Sequence, residues 1–568
     1  MRYLVLTFWL FCITSSVPAQ AAELADSLRA SIARLDESEP RSKDIYIRVI
    51  ALIATNLASP YILDSEDDTL LLGFDTVQLQ LLNRGAVDIV PLPQSGQIAF
   101  TASRDVLEGL QDFPEIDFVR EDMALLEAPL AMHSEPGLLD WNLSMVGAPR
   151  LWQMGYQGSS VTIAVLDTGV DGDHPILSNS FRGGAGDWFD PYGEHQAPYD
   201  RTGHGTQVTG LLVGMQSDGT ALGVAPHANW IAAKVFNDAG EATESSLHAV
   251  FEWLLDPDGD PATDDAPDVV NASWGISEEG LCNEVFVDDL NALRNAGISI
   301  VFSAGNLGPT TATDVSPANN ENTVSVGAIT EEGLVASFSS RGPSSCHGGF
   351  FPVLVAPGDG VLTTDHSFGG NEITIYVAGT SFAAPHVTGA LALLKDAVPP
   401  AAMLELEEAL KFSAVDAASE GADNDTGYGL LNIPAALDFI VTAADDDNDG
   451  FSVTIDCDDN NPNIYPGARD RRNDGIDQDC NGFDMTIQVH YAVYSHDGGS
   501  LNIRATSRLD ERAQLEIVGV GPMTYRAIRD DWIYEGGGID GYSLRRITIR
   551  GIEGELRVRP RPPMPTRS

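Results

Sequence analysis

Residues 379–389 read GTSFAAPHVTG, and they place Ser381 between a tight turn and an apolar helix. Gly379 and Thr380 suit the turn, and Pro385 suits the first turn of the helix, where a missing N–H costs nothing. A serine in this position lies at a helix N-terminus, beside free backbone N–H groups that can bind a developing oxyanion. The stretch therefore predicts a nucleophilic serine, provided that other segments supply a base, an orienting acid and an oxyanion donor.

Three other polar residues come at the ends of predicted elements. Asp167 ends the apolar strand VTIAVLD, His204 enters a helix in TGHGTQVTG, and Asn306 follows the strand ISIVFSAG. Side chains at the carboxyl ends of parallel strands meet at one edge of a sheet, so we expect these three to approach Ser381. Each residue alone has an ordinary explanation as a turn former or a helix cap. Together, in this chain order, they favour catalysis.

The expected chemistry gives each of the four residues one role. Ser381 attacks a carbonyl, while His204 takes the serine proton and returns it to the leaving amine. Asp167 orients the imidazole and stabilises the imidazolium. The Asn306 amide and the backbone N–H of Ser381 hold the oxyanion.

Residues 136–442 alternate buried-strand runs with helical stretches. The strand runs are VTIAVLD, WIAAKVF, DVVNASW and ISIVFSAG, and the helical stretches include TQVTGLLVGM, ESSLHAVFEWLL and VDDLNALRNAG. This alternation predicts an α/β domain with a doubly wound, mostly parallel sheet and helices on both faces.

These segments resemble the subtilisin-like serine proteases, the subtilases, over roughly residues 140–440. ASFSSRGP, VAPG and VVNASWG also match the family pattern, and DAPDVVNASWG with its preceding acidic insert is similar to the bacillopeptidase F-like subgroup. The resemblance implies a subtilisin-like fold and a serine endopeptidase that acts on proteins or peptides without a catalytic cofactor. It also implies that Ser273, Trp274 and Gly275 bind substrate and line one wall of the P1 pocket.

Some positions depart from the family pattern. Ile176 follows the His174-Pro175 pair, and Ser217 stands where the family's common calcium site has a loop asparagine. We therefore expect no calcium at that position. Phe382 replaces a usual methionine beside Ser381, and because both side chains fill apolar space we expect the chemistry to be unchanged.

The first 135 residues are expected to precede the mature enzyme. Residues 1–21 have the pattern of a signal peptide cleaved after Ala21, with a membrane anchor as the alternative, so we expect a secreted protein, extracellular or periplasmic. Residues 22–135 resemble a subtilase propeptide, with an inhibitor-like α+β domain at about 44–128. The resemblance implies an intramolecular inhibitor released by autoprocessing between about 128 and 140. The alternative is an N-terminal domain that the mature protein retains.

Residues 443–484 are rich in aspartate and predict a metal-binding module. Asp445, Asp447 and Asp449 occupy positions 1, 3 and 5 of an EF-hand-like loop with Gly450 at position 6 and Asp456 at position 12. A weaker second loop contains Asp477, Asp479 and Asn481. Carboxylates at these offsets suit Ca²⁺ better than zinc or copper, so we expect structural calcium in the 445–484 module. The alternative is an acidic linker.

Four cysteines follow the signal segment: Cys282, Cys346, Cys457 and Cys480. An even number in an exported chain suggests two disulfides, and three pairings are open. We favour Cys457–Cys480 within the aspartate-rich module and Cys282–Cys346 within the large domain.

Residues 485–557 show alternating strand patterns and predict a small all-β domain, and the tail 558–568 is expected to be disordered. The net charge of −51 argues against nucleic-acid partners, because polyanions repel each other. No segment after residue 21 has the roughly 20 apolar residues that span a bilayer. We expect a monomer.

Two functions compete with a broadly acting endopeptidase. One is a catalytically silent scaffold or adhesin that acts through its calcium and β modules. The other is a narrow maturation protease whose C-terminal domain recruits a specific substrate or the cell surface. The complete set of catalytic residues favours an enzyme, but it does not separate broad from narrow specificity.

Overall fold

The structure is a computed structural model of the chain. It describes residues 8–11, 23–24, 28, 46–53, 69–113, 116–126, 132–133, 137, 140–276, 280–417, 421–442, 447, 449, 456–465, 468, 471, 476–478, 480, 486–495, 500–507, 515–517, 521–526, 531–536, 547–551 and 554–558.

A six-stranded sheet with two helices forms the N-terminal region. Its strands are β1 (Phe8–Phe11), β2 (Glu23–Leu24), β3 (Tyr46–Ile53), β4 (Val87–Leu92), β5 (Gln97–Ser103) and β6 (Ile116–Glu121), in the order β1-β2-β6-β3-β5-β4. The helices are α1 (Thr69–Asn83) and α2 (Arg104–Glu108), the latter continued by a 3₁₀ turn, Gly109–Asp112. Residues such as Phe100 and Val77 bury their side chains between sheet and helices, which gives this α+β unit its own core.

Two short strands follow this unit and pair with the rest of the molecule. Strand β7 (Ala124–Leu126) and strand β8 (Met132–His133) each join a small sheet of the large domain. Of the predicted signal segment, only Phe8–Phe11 is among the described residues.

The large domain is built on a seven-stranded parallel sheet. Its strands are β9 (Thr162–Asp167), β10 (Trp188–Phe189), β11 (Asn229–Lys234), β13 (Val269–Ala272), β14 (Ser299–Ser303), β15 (Val324–Ile329) and β16 (Leu354–Pro357). Their order is β10-β11-β9-β13-β14-β15-β16, and every neighbouring pair is parallel. Both faces of β9 are buried, with Val165 in one apolar core and Leu166 in the other. This confirms the predicted α/β fold.

Helices cover both faces of this sheet. They are α3 (Trp141–Val146), α4 (Ala148–Gln153), α5 (His204–Val213), α6 (Glu244–Trp253), α7 (Val287–Asn295), α8 (Thr380–Ala397), α9 (Met403–Phe412) and α10 (Ile433–Thr442). Apolar residues of α6 and α7 belong to one core, and those of the other six helices belong to the opposite one. Outside the main sheet, β12 (Glu241–Thr243) pairs with β7, while β17 (Asp359–Thr364) and β18 (Thr374–Ala378) form a hairpin that β8 extends.

The C-terminal region consists of two four-stranded antiparallel sheets around one small core. The first contains β19 (Gln488–Ser495), β20 (Ser500–Thr506), β23 (Thr524–Arg526) and β24 (Asp531–Gly536). The second contains β21 (Glu516–Ile517), β22 (Gly521–Pro522), β25 (Ile547–Gly551) and β26 (Gly554–Val558). The predicted all-β fold of this region is therefore confirmed. The predicted tail, apart from Val558, lies outside the described residues.

Both favoured disulfides are present, Cys282–Cys346 and Cys457–Cys480. The prediction for Pro385 was wrong in one respect. Helix α8 begins at Thr380, so Pro385 lies in its second turn rather than its first. Within the residues that the structure describes, no helix is long and apolar enough to cross a membrane.

Candidate active site

Asp167 and His204 are joined at the carboxyl edge of the main sheet. Asp167 is the last residue of β9, and His204 is the first residue of α5. The Nδ1 atom of His204 lies 2.7 Å from Oδ1 of Asp167, which also accepts the backbone N–H of Thr168 at 2.8 Å. With a proton on Nδ1, the imidazole donates to the carboxylate and keeps Nε2 as its basic nitrogen. The aspartate is almost fully buried, so this acceptor is held away from water.

Ser381 is the second residue of α8 and lies against the segment after β13. Its Oγ donates a hydrogen bond to the carbonyl of Ser273 at 3.3 Å. In return, Oγ of Ser273 donates to the carbonyl of Ser381 at 2.8 Å. The Ser273 hydroxyl is held in place by Nδ2 of Asn271 at 2.9 Å. The predicted substrate-binding segment is thus in direct contact with the predicted nucleophile.

Asn306 follows β14 and is anchored to the same helix. Its Oδ1 accepts both the backbone N–H and the hydroxyl of Thr380, each at 2.9 Å. Thr380 also accepts the N–H of Gly305 at 3.1 Å. Because the carbonyl oxygen is occupied by Thr380, the amide Nδ2 is the end of the Asn306 side chain that is left to act as a donor toward the cleft. The exposed position of Asn306 keeps that donor accessible.

Sequence reasoning missed Asp200, which connects the loops that carry Asp167 and His204. Its carboxylate is buried and accepts five hydrogen bonds at 2.7–3.1 Å, from the Thr168 hydroxyl, the N–H groups of Thr202 and Gly203, and the N–H and hydroxyl of Thr206. Thr168 follows Asp167, while Gly203 and Thr206 flank His204. The signal in the sequence was an aspartate shortly before a predicted helix start, where carboxylates favour free N–H groups.

A buried lysine lies behind the same loop and was also missed. Lys234 is 1% exposed and is paired with Asp167 in the register of β11 and β9. Its Nζ donates to the carbonyl of Thr168 at 3.0 Å and lies 3.2 Å from Oδ1 of Asp238. The ion pair with Asp238 offsets the cost of burying the ammonium group. This contact therefore fixes the backbone immediately after Asp167.

The other two predicted substrate-binding residues, Trp274 and Gly275, directly follow Ser273 after β13. Trp274 is 3% exposed and packs edge-on against Phe302, with ring centroids 5.5 Å apart, so its side chain belongs to the core. Gly275, the next residue, has no side chain. Next to Ser381, the ring of Phe382 is fully buried and lies 5.6 Å from the His204 ring. Phe382 therefore packs directly against the candidate base.

The aspartate-rich module brings together three of the predicted metal ligands. Carboxylate oxygens of Asp447, Asp449 and Asp456 lie within 4.8 Å of one another. Burial, opposed by the N–H of Asp458 and reinforced by the Asp447, Asp459 and Asp458 carboxylates, raises the pKa of Asp456. Among the residues that the structure describes, none donates a hydrogen bond to the buried Oδ2 atoms of Asp447 and Asp456.

A divalent cation bound by hard oxygen ligands would satisfy these buried oxygens, so the donor set fits Ca²⁺. Asp477 is described but lies outside this group. Asp445, Asp479 and Asn481 lie outside the described residues.

Comparison with known proteins assigns the large domain to a family. A model of the subtilase family matches residues 158–429, and a model described as "Putative metal-binding motif" matches residues 456–484. The alkaline protease of Alkalihalobacillus alcalophilus is 32% identical over 66% of this chain and 86% of that protein. Subtilisin E of Bacillus subtilis is 31% identical over 60% of this chain and 80% of that protein. The chain belongs to the subtilase family.

Bacillopeptidase F of Bacillus subtilis is 34% identical over 65% of this chain. This similarity agrees with the subgroup that was predicted from DAPDVVNASWG and its acidic insert. The match spans 27% of the length of that protein.

Proposed function

We propose that the chain is a secreted serine endopeptidase in which Ser381 is the nucleophile, His204 the general base and Asp167 the orienting acid. The observation that carries this proposal is the 2.7 Å contact between Nδ1 of His204 and Asp167, which makes Nε2 the basic nitrogen of the ring. Ser381 lies at the start of α8, where backbone N–H groups have no partner within the helix.

The proposed reaction has two halves. Oγ of Ser381 leaves the Ser273 carbonyl, transfers its proton to Nε2 of His204 and bonds to the peptide carbonyl carbon. The C–N bond then breaks, the amine takes the proton from His204, and an acyl-enzyme remains. Water attacks the ester by the same route, with His204 again as base, and releases the acid. Both tetrahedral intermediates place their oxyanion near Nδ2 of Asn306 and the N–H of Ser381.

We further propose that the N-terminal α+β unit inhibits the enzyme before maturation. Strand β7 pairs antiparallel with β12, from Ala124 opposite Thr243 to Leu126 opposite Glu241. Strand β8 pairs with β18, with Met132 opposite Ala378. Because β18 ends three residues before Ser381, its pairing with β8 places Met132 and His133 beside the strand that leads to the nucleophile. Substrates of proteases bind as added strands in the same way.

Charged contacts hold this unit against α6. Oδ1 of Asp122 accepts the N–H of Ser245 at 2.7 Å, in the first turn of the helix, where a carboxylate is favoured by the helix dipole. Arg48 pairs with the same aspartate at 2.9 Å, and Arg120 forms an ion pair with buried Glu244. Removal of the unit would expose the buried Glu244, which supports an inhibitor that stays bound until it is cut.

The experiment compares wild type with Ser381→Ala. Wild type should react with a fluorophosphonate probe, cleave unfolded protein and lose its N-terminal unit, whereas Ser381→Ala should do none of these. A Ser217→Ala variant, which removes an exposed hydroxyl, should behave as wild type. N-terminal sequencing of the mature form should find a cut between about residues 128 and 140. If the probe labels neither protein, the result favours a catalytically silent scaffold over a peptidase. If Ser381→Ala loses its N-terminal unit equally, autoprocessing is wrong.

We propose that the aspartate-rich module binds structural calcium through Asp445, Asp447, Asp449 and Asp456, with Asp477, Asp479 and Asn481 as a second set. The support is the buried carboxylate group and the adjoining disulfide Cys457–Cys480. Such a module has almost no apolar core, so a bound ion and a disulfide would supply its rigidity. The module would then be a stiff spacer between the catalytic and all-β domains, with no part in the reaction.

A further inference from the structure

The cleft wall beside Ser381 has two glycines that face the same side chain. Gly275 comes two residues after Ser273, whose hydroxyl donates to the carbonyl of Ser381. Gly305 directly precedes Asn306, and its N–H is bonded to Thr380. Glycines at both places leave a slot between two backbone walls, close to the predicted nucleophile and oxyanion donor.

Val315 fills the inner part of this slot. A Cβ on Gly275 would lie 3.0 Å from Cγ2 of Val315, and a Cβ on Gly305 would lie 3.1 Å from the same atom. Both distances are tighter than ordinary van der Waals contact, so the valine touches both walls. The side chain is 5% exposed, so it is almost entirely buried.

The valine is held firmly where it is. Its carbonyl accepts the N–H of Asn319 at 3.0 Å, and the carbonyl of the next residue, Ser316, accepts the N–H of Ile276 at 2.7 Å. The second bond ties the Val315 segment to the wall that contains Gly275. A β-branched side chain has few alternative rotamers, so Val315 cannot turn out of the slot without moving this backbone.

The neighbouring Asp314 does not offer a charge to a basic substrate side chain. It is fully buried, and its Oδ2 accepts Nδ2 of Asn319 at 2.8 Å and the N–H and hydroxyl of Ser345 at 2.7 and 2.6 Å. The groups that face the two glycines are the methyl groups of Val315 and, at Gly305, also the hydroxyl of Ser340, whose Oγ would lie 2.9 Å from a Cβ there.

We infer that Val315 is the specificity-determining residue of the P1 pocket and that it restricts the residue before the scissile bond to small side chains such as alanine. This inference rests on the proposed peptidase function. A phenylalanine or leucine side chain requires the volume that the valine occupies. Apolar pockets discriminate by about 10-fold to 200-fold for a misfit of one methylene, so the larger misfit here should at least reach that range.

The test uses tetrapeptide p-nitroanilides that differ only in their last residue: alanine, leucine, phenylalanine or arginine. Wild type should cleave the alanine substrate with a kcat/KM at least about tenfold above the phenylalanine substrate. Val315→Gly should raise the ratio of kcat/KM for phenylalanine over that for alanine by about tenfold or more. Val315→Ala should shift the ratio in the same direction, and it covers the case in which the glycine variant does not fold.

A matched control removes a buried valine elsewhere. Val324 begins β15 at the opposite edge of the sheet and is 3% exposed, so Val324→Ala should leave the ratio of the two substrates unchanged. A wild-type preference for phenylalanine, leucine or arginine overturns the inference, as does an unchanged ratio in both Val315 variants. Fluorophosphonate labelling of Ser381 separates the two failures: a labelled enzyme with the wrong preference overturns the inference alone, and an unlabelled one overturns the peptidase function with it.

Discussion

Ser273 and Ser381 exchange two hydrogen bonds, each hydroxyl donating to the backbone carbonyl of the other residue. The bond to the Ser381 carbonyl has a specific cause. In a regular helix that carbonyl would accept the N–H of residue 385, but Pro385 has none. The hydroxyl of Ser273 supplies the missing donor at 2.8 Å, and in this way the substrate-binding segment is attached to the helix of the nucleophile.

The first prediction tests this replacement. Ser273→Ala leaves a buried carbonyl without a donor, which should lower the free energy of unfolding by about 1–3 kcal/mol. Adding Pro385→Ala restores an N–H at residue 385 and should recover much of that loss. Urea unfolding in a Ser381→Ala background, which prevents autolysis, measures both. Equal stabilities of the single and double variants would show that the proline is not the reason for the contact.

The second prediction concerns Asn306. Loss of its amide donor in Asn306→Ala should lower kcat by about 10²–10³-fold with little change in KM, because the oxyanion forms only during the reaction. Thr380→Val is the matched control, since it removes one donor to Oδ1 and keeps Nδ2. It should lose much less activity. Steady-state kinetics with one peptide substrate checks both, and an Asn306→Ala enzyme with normal kcat would contradict the oxyanion role.

The third prediction concerns Asp200, whose five hydrogen bonds connect the loops that carry Asp167 and His204. Asp200→Ala should lower kcat by about 10-fold to 100-fold, because Asp167 and His204 lose their alignment. KM should change little, because the residues that bind the substrate are unaffected. Asp200→Asn keeps one oxygen acceptor but turns an NH₂ group toward N–H donors, so it should rescue activity only in part. Full activity of both variants would mean that the carboxylate is not needed for alignment.

The fourth prediction is a loss of stability in acid caused by His386. Burial, opposed by the Phe382 carbonyl, lowers the pKa of His386 to about 4. Nδ1 lies 2.9 Å from that carbonyl, and Nε2 lies 2.9 Å from Nδ2 of Asn142, so the neutral ring is satisfied at both nitrogens.

The sign follows from proton binding. The unfolded chain takes up a proton near pH 6.5 and the folded chain only near pH 4. The stability contributed by neutral His386 is therefore present above pH 6.5 and is lost as the pH falls to 4, by about 3 kcal/mol in total. His386→Gln should reduce this pH dependence, measured as unfolding midpoints at pH 7 and 4.5 in a Ser381→Ala background. An equal slope in both proteins would contradict the assignment.

The fifth prediction concerns the metal. In a Ser381→Ala background, Ca²⁺ should protect the 447–480 region against an added protease, and a chelator should remove the protection. Asp447→Asn should weaken calcium binding by about tenfold or more, because it removes one charged ligand. Asp173→Asn, which alters an exposed aspartate of the catalytic domain, should bind as the parent does. Titration with Ca²⁺ and, separately, Cu²⁺ identifies the ion; tighter binding of copper would overturn the calcium assignment.

The sequence was most informative where a residue's environment is set by its neighbours in the chain. Asp167 and Asn306 follow apolar strands, and His204 and Ser381 begin helices, so local pattern placed all four at one edge of the sheet. The role of Asp200 was not found because its bond to the Thr168 hydroxyl joins two separate segments, although its other partners are near in sequence. Val315 was not found because it packs against two glycines that belong to other segments. Pro385 was placed one turn early, because its role depends on Ser273, more than one hundred residues away.

Strands β7 and β8 cover the edges of β12 and β18 on the two sides of the cleft. An open strand edge presents unpaired N–H and C=O groups, and it pairs with any extended chain that reaches it, including other copies of the same protein. In the proposed precursor the chain's own strands occupy these edges. The proposed cut form would expose them, so it should associate with itself more readily than the precursor.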